Sequence, residues 1–140
     1  MRPTRSWLLV AALLAGPAWA ERPADFLARF EAEARSQDAS FAASASRGRQ
    51  WFESRHGEDW SCSTCHTRDP ARSGRHQVTG KAIEPMAPAA NPQRLTSGRS
   101  VAKWFRRNCR DVLGRECSAA EKADVVAWLI DAGRSTGEGR

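Results

Sequence analysis

Cys62-Ser63-Thr64-Cys65-His66 is a complete C-x-x-C-H sequence, the pattern by which a polypeptide takes up a covalent haem. Two thiols three residues apart reach the two vinyl groups on one edge of a porphyrin, and the next residue turns its imidazole under the iron. The predicted bonds are thioethers from Cys62 and Cys65, with His66 as the proximal axial ligand. The motif occurs once, so one haem c is expected. His56 and His76, the other two histidines, lie in polar surroundings and are read as solvent-facing.

Two other chemistries use C-x-x-C. A thioredoxin-like redox pair belongs at the start of a helix that follows a strand, and no segment here alternates with the period of a strand. A structural zinc needs four ligands, which would draw in Cys109 and Cys117. In an oxidising compartment, however, an even remainder of two cysteines eight residues apart, across a turn at Gly114, reads as a disulfide. By the chain-entropy argument such a bridge stabilises by roughly 2–3 kcal/mol.

The oxidising compartment is indicated at the other end of the chain. Residues 1–20, MRPTRSWLLVAALLAGPAWA, run from a basic start through an apolar stretch to Ala18-Trp19-Ala20, the form of a secretory signal peptide with its cleavage site. The apolar run is shorter than the roughly 20 residues that span a bilayer. The expected location is the periplasm, with no stable membrane insertion. Cleavage takes Arg2 and Arg5 with it, so the formal charge falls from +6 to +4. The bases are scattered and mostly arginine, which argues against a nucleic-acid surface.

The mature chain divides into an N-terminal helix and linker over 21–45, a haem domain over 46–133 and a flexible tail over 134–140. Phe26, Leu27, Phe30 and Ala34 recur at helical spacing. A second helix is predicted from about Ser46, carrying Trp51 and Phe52. Between Asp69 and Gly98, four prolines and three glycines exclude long regular elements, and a loop of this length needs a surface to lie on. A third helix fits Ser100–Val112. A fourth fits Ala119–Ala132, behind the capping-box sequence Ser118-Ala119-Ala120-Glu121. The predicted fold class is all-α: about four helices and a long Pro/Gly-rich loop around one haem.

The ligand facing His66 across the iron decides between carrying electrons and binding small molecules. Met86, in Glu84-Pro85-Met86-Ala87-Pro88, would supply a soft thioether from a proline-bounded loop; packing against the haem edge is its other use. Asn108 is the second candidate. On a wheel that advances about 100° per residue from Val101, Trp104 falls at about −60°, Asn108 at about −20°, Val112 at about +20° and Phe105 at about +40°. That puts Asn108 at the centre of an apolar face, where an unpartnered amide costs roughly 1–3 kcal/mol. A partner is therefore expected: backbone, a haem propionate, or the iron itself.

Thr79-Gly80-Lys81, Ile83 with Pro85 and Ala87-Pro88, the run Lys103-Trp104-Phe105-Arg106-Arg107-Asn108-Cys109, and Gly114-Arg115-Glu116-Cys117 followed by EKAD and Ala127-Trp128-Leu129 resemble the Sphaeroides haem protein family of cytochromes c over roughly residues 45–131. Arg107-Asn108-Cys109 with Cys117 is the most distinctive part. The resemblance implies a small class I cytochrome c-like fold, Asn108 as distal axial ligand, a Cys109–Cys117 bridge that anchors it, and a pocket beside Trp104 that opens on reduction to bind oxygen or nitric oxide. It also implies redox partners: a dihaem cytochrome c and a membrane cytochrome b. An amide oxygen is a hard, weak donor that suits ferric iron better than ferrous, so loosening on reduction is chemically coherent. Whether the bound gas is turned over, which would make the protein an enzyme, stays open. A plain electron carrier with His66 and Met86 ligation is the competing expectation, and a module that stores or senses a gas is a third.

Overall fold

The computed structural model describes residues 21–57 and 59–132. The expected signal peptide (1–20) and tail (134–140) lie outside these residues. Five helices occur among them: α1 (Pro23–Arg35), α2 (Ala45–Glu53), α3 (Cys62–His66), α4 (Gly98–Leu113) and α5 (Ala119–Ala132), with a two-residue hairpin of β1 (Gly74–Arg75) and β2 (Ala82–Ile83). The all-helical expectation holds apart from that hairpin. The helix that apolar spacing does not predict is α3, one turn formed by the cysteine motif itself.

α5 is the centre of the molecule, because α1 and α2 both pack on it. On one side Phe26, Phe30, Val101, Ala123 and Val126 form a buried cluster. On the other, Phe52, Val125, Trp128 and Leu129 form a second, with the Phe52 and Trp128 rings 4.8 Å apart. α1 thus belongs to the same core as the later helices, and residue 45 marks the start of α2 without dividing that core. Phe105 of α4 packs against both clusters.

The α2–α5 crossing is close because Gly48 has no side chain. A Cβ there would lie 1.9 Å from the Asp124 carbonyl oxygen. Beside it the buried Asp124 carboxylate accepts from Arg47 Nε at 2.6 Å, Arg47 Nη2 at 2.7 Å and the Ser44 N–H at 2.8 Å. One side chain therefore pins the start of α2 to the middle of α5. At the start of α5, Ser118 N–H donates to Glu121 Oε2 at 2.8 Å and Glu121 N–H donates to Ser118 Oγ at 3.1 Å, the reciprocal cap that the sequence predicts.

Candidate haem site

α3 presents Cys62, Cys65 and His66 on a single turn that packs against α2 and β1. Ser61 N–H donates to Thr64 Oγ1 at 3.0 Å and opens the turn. Thr67 closes it at φ 64, a costly conformation for a β-branched residue, and the Thr67 hydroxyl donates to the Asp69 carbonyl at 2.7 Å. The chain then doubles back. Gly74 comes so near α3 that a Cβ would stand 2.0 Å from the Cys65 carbonyl oxygen, and Gln77 Nε2 donates to the Thr64 carbonyl at 3.0 Å. The hairpin is thereby fastened to the back of the motif.

The three motif side chains are compatible with haem attachment. Neither Cys62 nor Cys65 is in a disulfide, and Cys62 packs against the Phe52–Trp128 cluster. Burial pushes the Cys62 thiol up to about 12, so it stays protonated at neutral pH. Burial, followed by the charges of Arg94 and His76, pushes His66 down to about 4. Its imidazole is neutral and can serve as a metal ligand. His66 Nδ1 is buried without a hydrogen-bond partner, an arrangement that wants a further group in the site. The Phe52 ring lies 6.0 Å from the imidazole. These residues fit one covalently held haem.

Cys109 and Cys117 are joined, with Cα atoms 5.6 Å apart. Both are buried, and the pairing removes the two thiolates that a four-cysteine zinc site would need. The bridge ties the last turn of α4 to the segment that enters α5.

The two candidate distal ligands sit in different settings. Met86 and Ala87 N–H both donate to the Pro70 carbonyl at 2.8 Å, which fastens Met86 to the segment four residues past His66, and the Met86 side chain packs on the same cluster as Cys62. Asn108 lies on α4, half-buried. Its amide makes no hydrogen bond among the described residues. The buried stripe of α4 consists of Val101 and Cys109, with Phe105 between them, edge-on to Phe30 at 5.6 Å. Asn108 is therefore at the edge of the buried face and not at its centre, because packing on α1 and α5 selects the Phe105 side of the wheel. Trp104 stands further round, 42 % exposed, with Lys103 Nζ 5.1 Å and the Arg107 guanidinium 5.9 Å from its ring centre.

Of the remaining histidines, His56 is half-buried, with its Nε2 2.8 Å from the Trp51 carbonyl and its ring 4.6 Å from that of Trp51. His76 Nδ1 accepts from the Val78 and Thr79 N–H groups, both at 3.2 Å. Each is engaged in a local turn. Sequence reasoning does not single out Gly74, Pro70 or Arg94, since nothing in a Pro/Gly-rich loop distinguishes the residues that meet α3 from those that meet water.

Residues 38–129 match a family model described as a domain of unknown function, DUF1924. The cytochrome c-type protein SHP of Cereibacter sphaeroides is 44% identical over 129 residues, 88% of this chain and 95% of that protein. The structure of oxidised SHP, described as an oxygen-binding cytochrome c, superposes with a TM-score of 0.69 at 43% identity, covering 79% of this chain and 96% of the other. A solution structure of cytochrome c'' from Methylophilus methylotrophus, presented with insights into haem-ligand detachment, gives a TM-score of 0.70 at 33% identity over 77% and 91%. The C-x-x-C-H turn of α3, the disulfide on α4 and these likenesses lead to one conclusion: the chain is a c-type cytochrome with one covalent haem c, and it belongs to the family that includes the Sphaeroides haem protein.

Proposed function

We propose that this is a periplasmic mono-haem cytochrome in which Cys62 and Cys65 hold the haem, His66 is the permanent axial ligand, and Asn108 occupies the distal position weakly. Asn108 leaves on reduction, and a diatomic gas such as oxygen or nitric oxide enters. A dihaem cytochrome c and a membrane cytochrome b are the expected electron partners. The haem supplies an iron that changes charge by one electron and accepts small molecules at an open position; the protein supplies the gate.

The observation that carries this reading is the contrast between Asn108 and Met86. The Asn108 amide is half-buried and has no partner among the described residues, and the next residue is clamped by the bridge to Cys117. Met86 is tied by its backbone to Pro70, four residues past His66, and its side chain is packed on the Phe52–Trp128 cluster. The relatives point the same way, one being an oxygen-binding cytochrome c and another concerned with haem-ligand detachment. In favour of a plain electron carrier stands the packing of Met86 on the cluster that also receives Cys62, which would keep a thioether near the cofactor.

Asn108→Ala tests the gate. An internal ligand that must leave before an external one binds lowers the apparent affinity by the fraction of open sites. The ferric protein should therefore bind an external ligand such as azide on the order of tenfold more tightly in the variant, while ferrous affinity for carbon monoxide stays close to wild type. An unchanged ferric spectrum and unchanged ferric affinity contradict the gate.

A further inference from the structure

Arg94 has hydrogen-bond partners but, among the described residues, no carboxylate in ion-pair contact. Its Nε donates to the Pro85 carbonyl at 2.8 Å and its Nη2 to the Glu84 carbonyl at 2.7 Å, and both acceptors are neutral. Asn91 Nδ2 supports the same strand of loop, donating to the Pro85 carbonyl at 3.4 Å. No carboxylate among the described residues pairs with Arg94. The residue is half-buried, and burial pushes its pKa down, opposed by the charge of Glu84. The loop that it fastens carries Met86, whose side chain packs on the same cluster as Cys62.

A guanidinium partly removed from water, bonded to neutral carbonyls and in ion-pair contact with no carboxylate among the described residues, is better satisfied when an anion faces it. Its planar fork is shaped for a carboxylate. Haem c bears two carboxylates, its propionates, on the edge away from the vinyl positions that thioethers occupy. We propose that Arg94 is a positioning residue that pairs with a haem propionate, so that the loop carrying Met86 is locked to the cofactor edge and the reduction potential of the iron is raised. Neutralising a propionate removes negative charge near the iron, which favours the ferrous state. The inference rests on haem attachment through Cys62 and Cys65. It is independent of which residue faces His66 across the iron.

The test compares holoproteins of wild type, Arg94→Gln and Arg94→Lys by redox titration and by the propionate-bending region of the resonance Raman spectrum. Arg94→Gln should titrate at a lower potential, with the ferric-to-ferrous ratio at fixed potential raised on the order of tenfold, and with its propionate band displaced. Arg94→Lys keeps the charge but not the fork, so its potential should stay near wild type while its band moves. A purely structural Arg94 predicts the reverse: equal effects on the potential from both variants, or none, with the band unmoved. If Arg94→Gln yields no holoprotein, the band of Arg94→Lys decides alone, and an unmoved band overturns the pairing. Inorganic phosphate at constant ionic strength should leave the wild-type potential unchanged; a shift present in wild type and absent in Arg94→Gln would assign Arg94 to a free anion and overturn the proposal. Neither variant touches Asn108, so the ferric spin state reports on the gate separately.

Discussion

The Glu121 carboxylate caps α5 and also joins it to two other parts of the chain. It accepts from Arg115 Nη2 at 2.7 Å and Nη1 at 2.8 Å, from Ser118 N–H at 2.8 Å and from Trp51 Nε1 at 3.2 Å. The Arg115 guanidinium, the Ser118 N–H and the Trp51 indole together hold its pKa down to about 2, below the ordinary 4.5. A carboxyl whose folded pKa is lowered stabilises the fold above its unfolded pKa, and that stability is lost as pH falls through the folded value. Glu121→Gln should cost about 1 kcal/mol at pH 6, because the cap survives in part and the ion pair is half in water. The difference from wild type should shrink between pH 4.5 and pH 2 in urea titrations. A difference that does not change with pH would mean that the carboxylate's charge plays no part. The cap itself is readable from Ser118-Ala119-Ala120-Glu121, a local pattern. Its links to Trp51 and Arg115 are not, because they depend on how α2 and the α4–α5 turn come together in space.

The same division holds for the elements. α1, α2, α4 and α5 are legible from apolar spacing and caps, since each must bury a stripe, and the predicted bounds of α5 match those observed. The crossing of α2 over α5 is not legible. Gly48 lies in a polar stretch, Arg47-Gly48-Arg49-Gln50, and its importance appears only when α5 lies against it. Gly48→Ala should lower stability by about 3 kcal/mol, read as a drop in the denaturation midpoint, because the new methyl meets backbone that cannot move aside. Tolerance of alanine there would mean that α2 and α5 are further apart than described. α4 shows the limit of a helical wheel. The wheel ranks faces by composition, whereas burial follows the neighbours, and Phe30 draws the helix round toward Phe105. Asn108 is left at the margin, half-buried and next to the cysteine that the disulfide holds.

In the molecule as a whole, the two clusters either side of α5 divide the work. The Phe26–Val126 side joins α1, α4 and α5 into a rigid body. The Phe52–Trp128 side receives Cys62 and Met86, and it is the wall against which a haem held by α3 would pack. The 69–98 loop is fastened to α3 by Gly74 against Cys65 and by Gln77 to Thr64, and to itself by Met86 to Pro70 and by Arg94 to Glu84 and Pro85. The need for a surface under so long a loop is evident from its prolines and glycines; the fastening points are not, since each ends on a backbone carbonyl distant in sequence or in the loop itself. This arrangement ties the Met86 loop to the segment that follows the His66 turn. The decisive measurement is therefore the absorption spectrum of the holoprotein, oxidised and then reduced, for wild type and Met86→Ala. A weakly held Asn108 gate predicts a high-spin ferric iron without the weak near-infrared band of methionine sulfur, a reduced form that takes up carbon monoxide readily, and no change in Met86→Ala. A methionine band that is present in wild type and vanishes in Met86→Ala would overturn the gate and make this protein an electron carrier with a closed iron.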